Sequence, residues 1–410
     1  MENKKLTKLE KYWIMYDVGN SAFVMLIATI IPIYFNYLAK SAGISEVNYL
    51  AYWGYAASVS TVIVALIGPV LGSIADTQNY KKPLFTISMM VGVIGCAAMS
   101  FPTSWVVFLA VFVIAKVGYN ASLIFYDSML VDITSADRMD EVSSQGYAWG
   151  YIGSCIPFIL SLVLVLMYEK IGITMRMAMT GAFFLNAVWW AVVTIPLLRN
   201  YRQKNYVDMS SHSVKNSFKR LGQTFMDVHK EKKIFWYLLA FFFFIDGVYT
   251  IIEMATAYGS ALGLDSTGLL LALLVTQLVA FPCALICAKL SGKYPTERLI
   301  GVCIVAYIGI ALFAIQLDKQ WEFWTLAVLV GMFQGAIQAL ARSYFAKIIP
   351  AEKSGEYFGI YDICGKGASF MGTTLVGIVA QVTGVANAGV AVIAVLFVIG
   401  YILFKKAVRA

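Results

Sequence analysis

Sixty per cent of the 410 residues are hydrophobic, 13% are charged, and the mean hydropathy is +0.75. A water-soluble domain carries about a quarter charged residues, so a soluble fold is excluded. The formal net charge of +8 suits nucleic acid only if the basic residues share a face, and their distribution along the chain excludes that.

Twelve apolar runs follow in order, at 12–39, 48–75, 84–101, 105–132, 143–168, 177–198, 234–258, 266–290, 298–316, 321–346, 356–382 and 386–404. A helix crosses the hydrocarbon core with about 20 apolar residues, and each run comes within a turn of that length or exceeds it. Backbone groups in lipid must be satisfied internally, and continuous runs this long read as helices, not as barrel strands. The expectation is an all-α membrane protein: twelve transmembrane helices in two six-helix bundles, residues 1–198 and 234–410, joined by a linker at 199–233. The connections expected on the inner side hold most of the 31 basic residues, and the outer ones only Lys40, Lys170, Arg176 and Lys319. That bias puts both termini in the cytoplasm. The first run is too long for a signal peptide, carries Asp17 and Asn20, and is followed by no small-residue cleavage site, so it reads as a retained helix.

In the first run, Asp17, Asn20 and Ser21 share a face at helical spacing. The bland reading is a polar patch that packs helices together. An ionised carboxylate at that depth favours a cavity or gate. The second run ends Gly68-Pro69-Val-Leu-Gly72-Ser-Ile-Ala-Asp76, followed by Asn79-Tyr80-Lys81-Lys82-Pro83. Asp76 disfavours its own helix dipole and suits the start of a neighbouring helix, or a basic partner. This Gly-x-x-x-Asp loop with a following basic pair resembles the signature loop of the major facilitator superfamily. The fourth run carries Lys116, Asn120, Asp127 and Asp132, and the fifth opens with the small-residue face Gly146, Gly150 and Gly153.

The linker shows Val214, Phe218, Leu221, Phe225 and Val228 at helical spacing, bordered by Lys215, Lys219, Arg220 and Lys230. This is an amphipathic helix expected on the inner leaflet. Both histidines, His212 and His229, fall here, so no histidine relay crosses the membrane. The seventh run carries Asp246 and, seven residues on, Glu253. The tenth carries Gln338, Arg342 and Ser343 before Pro350. The eleventh carries Phe358-Gly359, Tyr361, Asp362 and Lys366, the last two four apart and able to pair.

At an offset of 215 the halves echo each other: Asp127 meets Arg342, Asp137 meets Glu352, Glu141 meets Glu356 and Gly150 meets Gly365. The turn after the eighth run, Lys289 to Pro295, echoes the loop after the second but lacks its Asp. Runs three, six, nine and twelve carry no charge inside their ends. Embedded charges concentrate in runs one, four, seven, ten and eleven.

The chain resembles the vacuole-effluxer-like family of the major facilitator superfamily, which is related to autophagy-linked vacuolar amino-acid exporters. The resemblance is carried by Tyr16-Asp17 with Asn20 to Phe23, by Gly68-Pro69 through Asp76 with Lys81 to Pro83, and by Asp246-Gly247. It continues in Gln338, Arg342-Ser343 and Pro350, and in Phe358-Gly359, Tyr361 and Lys366. Departures are Gly19 for the usual Ala, Asn79 and Tyr80 for a Gly and an Arg, and Thr373 where Pro is common. Asn79 tolerates the left-handed conformation a Gly would supply. The resemblance implies helices 1, 4, 7 and 10 around a central cavity, with 3, 6, 9 and 12 against lipid. Charges are thus expected where that fold supplies water.

The expected function is secondary active transport of a small anionic or zwitterionic solute, amino-acid-like in character, by alternating access. Lys116, Asn120, Asp246, Glu253 and Lys366 are the expected substrate or coupling residues, since transporters bind near the midplane. Asp246 or Glu253 would carry a coupling proton. Asp17, Asn20, Asp76, Asp127, Arg342 and Asp362 are the expected gate. For any one of these, permanent structural pairing is the competing reading. The alternative function is a lipid or amphiphile transporter, or a non-transporting receptor, of the same fold. Enzyme and ATP-binding motifs are missing, so no catalytic residue is expected. The cysteines read as free apolar thiols, so no metal or cofactor is expected. The other expectations are partners limited to solute, protons and lipids with no nucleic acid, a monomer, and the cell membrane.

Overall fold

The computed structural model describes residues 5–207, 222–224, 226–261, 263, 264, 266–384 and 386–410. Twelve helical spans in it are long and apolar enough to cross a membrane. The first is α1 (Lys8–Ala28), continued after a break by Ile30–Ser41. Next come α2 (Glu46–Ala75), α3 (Lys81–Ala98) and α4 (Trp105–Ser128), the last followed by the single turn Leu130–Ile133. Then α5 (Met139–Ile171) and α6 (Met175–Asn200) complete the first half. The second half holds α7 (Lys232–Ala261), α8 (Ser266–Leu290), α9 (Thr296–Ile315), α10 (Gln320–Ile348), α11 (Ser354–Thr383) and α12 (Ala386–Arg409).

Local sequence explains the boundaries. Thr7 and Glu10 form a reciprocal capping box at the start of α1, satisfying two orphan amides. The break at Thr29 was not expected. Pro32 has no amide to offer the Ala28 carbonyl and crowds it, and Thr29, the next residue, breaks the helix with φ −135°. Gly172 and Gly384 close α5 and α11 at φ +77° and +69°, a conformation that costs glycine little. Asn79 adopts φ +67°, the left-handed turn its sequence position called for.

Helices α3, α6, α9 and α12 expose apolar side chains such as Ile94, Val188, Val305 and Ile402, as lipid-facing helices must. Helix α1 packs on α5 and α6, and α7 packs on α11 and α12. The small face of α5 serves the first of these contacts, since a Cβ on Gly150 would meet Ser21 and one on Gly153 would meet Val18. The halves meet where α2 and α4 pack on α11, and where α5 packs on α8 and α10. Helices α2 and α11 approach backbone to backbone. A Cβ on Gly72 would land on the Gly355 carbonyl, and one on Gly359 would overlap Pro69.

In the linker, Val228 is buried and Lys230 is exposed. The other positions read as its amphipathic helix, Val214, Lys215, Phe218, Lys219, Arg220, Leu221 and Phe225, and also His212, lie outside the described residues.

Candidate functional site

The site is a closure between the halves at the end of the bundle that bears both termini. Its centre is Arg342 of α10, 3% exposed. Its Nη1 donates to Asp127 Oδ1 at 3.0 Å and its Nη2 to Asp17 Oδ2 at 3.2 Å. Nε donates to Ser143 Oγ at 2.9 Å and Nη2 also to the Ser143 carbonyl. The guanidinium centre lies 4.6 Å from the rings of both Trp13 and Tyr147, and 5.4 Å from Tyr126. All of these partners belong to the other half. A planar fork with five donors suits such a nest where a lysine would not. Gly146 keeps the space open, because a Cβ there would strike the Asp17 carboxylate. Asn20 donates to the Tyr16 carbonyl at 2.9 Å and leans on Asp17 at 3.5 Å, which fixes the carboxylate from within its own helix.

To one side, the loop between α2 and α3 grips the start of α11. The first amides of a helix lack intrahelical partners and carry partial positive charge. Asp76 accepts two of them, Gly355 N at 2.7 Å and Glu356 N at 2.8 Å. Lys81 Nζ donates to Ser354 Oγ at 2.8 Å and lies 3.8 Å from Asp76 and 3.7 Å from Asp132. Asp76, Lys81 and Asp132 are all inaccessible to solvent or nearly so.

To the other side, α5 begins with Asp140, which the sequence reading passed over. It accepts from Ser343 at 2.6 Å, from Lys347 Nζ at 2.6 Å and from the Thr296 hydroxyl at 2.5 Å, all in the second half. The two grips are related by the internal repeat. Helices α9, α10 and α11 each begin 215 residues after α3, α4 and α5. Thr296 therefore stands for Lys81, Lys347 for Asp132 and Ser291 for Asp76. The acid missing from the turn after α8 has moved to the facing helix start, and the cation has moved from the turn to the end of α10, in the place of Asp132. The central pair obeys the same offset: Asp127 and Arg342 are repeat equivalents that touch, which puts them on the pseudo-symmetry axis.

Beyond the closure, Tyr151 receives the side-chain amides of Gln334 and Gln338 at 3.4 and 3.5 Å. Deeper still, half-buried Lys116 lies over the Phe112 ring, and the charges of Glu253 and Lys366 both act on it. Lys366 pairs with Asp362 at 2.5 Å, the i,i+4 pair the spacing offered. Asp362 is thus paired with Lys366 and makes no bond to Arg342, unlike Asp17 and Asp127. Asn120 is buried on α4. Asp246 is fully buried against α11, where Oδ1 accepts Gly372 N at 2.9 Å and the Thr250 hydroxyl at 3.3 Å. Its Oδ2 has no hydrogen-bond partner among the described residues. Six residues separate Lys366 from Gly372, about 120° around the helix, so Asp246 addresses a different face of α11. Gly372 must be glycine, since a Cβ would overlap Thr250 and Asp246. Among the described residues no cluster of His, Cys, Asp and Glu could hold a metal ion.

Residues 7–409 match the family described as vacuole effluxer Atg22 like. The chain is 41% identical over 405 residues to the uncharacterized MFS-type transporter YxiO of Bacillus subtilis, covering 98% of this chain and 95% of that one. It is 26% identical over 296 residues to autophagy-related protein 22 of Cryptococcus neoformans, 67% of this chain but only 53% of that longer relative. In fold it is similar to FucP crystallised in the outward conformation, with a TM-score of 0.74, 11% identity and coverage of 98% and 97%. It is also similar to the human organic anion transporter MFSD10, with a TM-score of 0.68, 13% identity and coverage of 97% and 99%. The twelve spans, the α2–α3 loop gripping α11 and these likenesses agree: the chain is a major facilitator superfamily transporter and belongs to the vacuole effluxer Atg22-like family.

Proposed function

We propose that the chain moves a small anionic or zwitterionic solute by alternating access, driven by protons. One observation carries this reading. The buried ion clusters close one end of the space between the halves, Lys116 and Lys366 with Asp362 stand beyond that closure, and Glu253 lies further along α7. Two cations among carboxylates, near the depth where transporters hold substrate, suit a carboxylate or phosphate carried with or without an ammonium group. In this reading the closed end faces the cytoplasm of a cell membrane, which the basic-residue bias supports. Asp17, Asn20, Asp76, Asp127 and Arg342 then form the inner gate.

Asp246 is better suited to a proton than to the solute. It is buried, one oxygen accepts from an α11 amide, and among the described residues no cation is bonded to it. The neutral acid is the less costly form of an unpaired carboxyl in such a place. A thermal-shift screen of purified protein against metabolites identifies a ligand, because binding to the folded state raises its melting temperature. With that ligand, Asp246→Asn is expected to keep binding and exchange but to lose accumulation driven by a pH gradient. Undiminished proton-driven uptake by that variant sinks the coupling role. Binding with no counterflow in the parent protein sinks transport in favour of a receptor.

A further inference from the structure

The residues that follow α6 do more than lead into the linker. Tyr201 to Val207 run beneath the α2–α3 loop and are stitched to it. Gln203 donates to the Ala75 carbonyl at 3.0 Å and accepts from the Lys81 amide at 3.4 Å. Val207 N donates to the Asp76 carbonyl at 2.8 Å, and Thr77 and Val207 form a parallel bridge. Asp132 is the anchor. Its Oδ1 accepts from Asn205 N and Nδ2, both at 2.8 Å, and from Lys204 N at 3.2 Å. Its Oδ2 accepts from the Tyr201 hydroxyl at 2.5 Å and faces Lys81. Burial pushes the Tyr201 hydroxyl well above its ordinary pKa, and Asp132 pushes it further, so that hydroxyl stays a donor.

Every residue these bonds reach lies in, or next to, the loop whose other face holds the start of α11. The far end of the linker lies on the opposite side of the same closure, where Asp227 is 3.9 Å from Lys353, the residue before Ser354. The linker therefore begins on one lip of the closure and ends on the other.

We propose that Tyr201, Gln203 and Asn205, held by Asp132, are positioning residues for the inner closure. They fix the backbone of residues 75–81 so that Asp76 and Lys81 meet α11 already in place, and they make residues 201–207 a latch on inner opening. A carboxylate that must grip two amides at once tolerates little displacement. Without the latch, the loop has to be ordered each time the inner side closes, and closure weakens.

The inference rests on the inner-gate reading, and one experiment separates the two. Spin labels at Tyr80→Cys and Glu352→Cys, both exposed, report the inner separation by double electron–electron resonance, in a background whose six native cysteines are replaced. Asp76→Asn tests the gate and must widen the distribution. Gln203→Ala with Asn205→Ala, which leaves Asp76 and Lys81 untouched, is expected to raise the ratio of inner-open to inner-closed molecules about three- to tenfold, the loss of one or two ordinary hydrogen bonds. Tyr201→Phe, which removes one hydroxyl and keeps the ring, should shift the ratio the same way by less. Should the double variant fail to fold, Tyr201→Phe decides alone. A distribution that widens with Asp76→Asn but not with the linker variants overturns the latch. One that moves with none of them overturns the gate, and the latch with it.

Discussion

Arg342 is the residue whose burial demands most and whose partners are most complete. Desolvating an ion pair costs several kcal/mol, and removing one partner from a buried pair costs about 3–5 kcal/mol. Two carboxylates, a hydroxyl and a carbonyl answer the guanidinium, and aromatic rings stand within cation–π range. Arg342→Lys keeps the charge but cannot reach Asp17, Asp127 and Ser143 together. It is expected to lower unfolding stability in detergent by about 2 kcal/mol, within the range of lost charged hydrogen bonds. Arg342→Asp and Asp127→Arg should each damage the protein severely, and the double reversal should recover part of the loss because the pair is restored with its sign exchanged. A double variant as impaired as the two singles added together removes direct pairing from the account of the gate. The sequence suggested the contact only by placing both residues among charges at one depth of their helices. The aromatic surround and Ser143 were not legible, because they come from helices whose facing partners sequence spacing does not reveal.

Among the elements, α5 and α11 stand in matching places. Each presents its first turn to the other half. On α11 the bare amides of Gly355 and Glu356 are held by an acid from the α2–α3 loop. On α5 the acid is built in as Asp140, where it also complements its own helix dipole, and Lys347, Ser343 and Thr296 hold it. Local chemistry could be read for the first grip: Asp76 at a helix end with no favourable role in its own helix had to serve another. The second was hidden because its acid had moved to the other half and its base to the end of α10, so the turn after α8 looked like a decayed copy. The break at Thr29 was missed for a different reason. Other prolines, such as Pro69 and Pro157, sit within continuous helices, so proline alone did not mark it. Two separate grips on one closure make a quantitative expectation. Asp76→Asn and Asp140→Asn should each raise the inner-open population, and together their free energies should add within about 0.5 kcal/mol, as for sites that share no partner. Inner separation measured by spin labels checks it. Strong non-additivity would show that the grips act as one unit.

At the scale of the whole molecule, the polarity of the closure depends on which way the bundle sits in the membrane. The ion pairs between the halves described above lie at the end carrying the termini, and a twelve-span chain has both termini on one side. Charge bias in short connections sets that side, and here only Lys40, Lys170, Arg176 and Lys319 oppose it. The bias is strong because it is spread over many loops, so no single substitution should invert it. A green fluorescent protein fused after Ala410 is expected to fluoresce, and a phosphatase placed at the exposed turn Gly172-Ile173 between α5 and α6 is expected to be active, since the first matures inside the cell and the second outside. If the signals are exchanged, the closed end faces outwards. The same structure would then be an inward-open carrier, with Arg342, Asp76 and Asp140 sealing the outer mouth and Lys116 and Lys366 reached from the cytoplasm. The ion clusters would keep their geometry and their cost, but the direction in which Asp246 could take up its proton would be inverted.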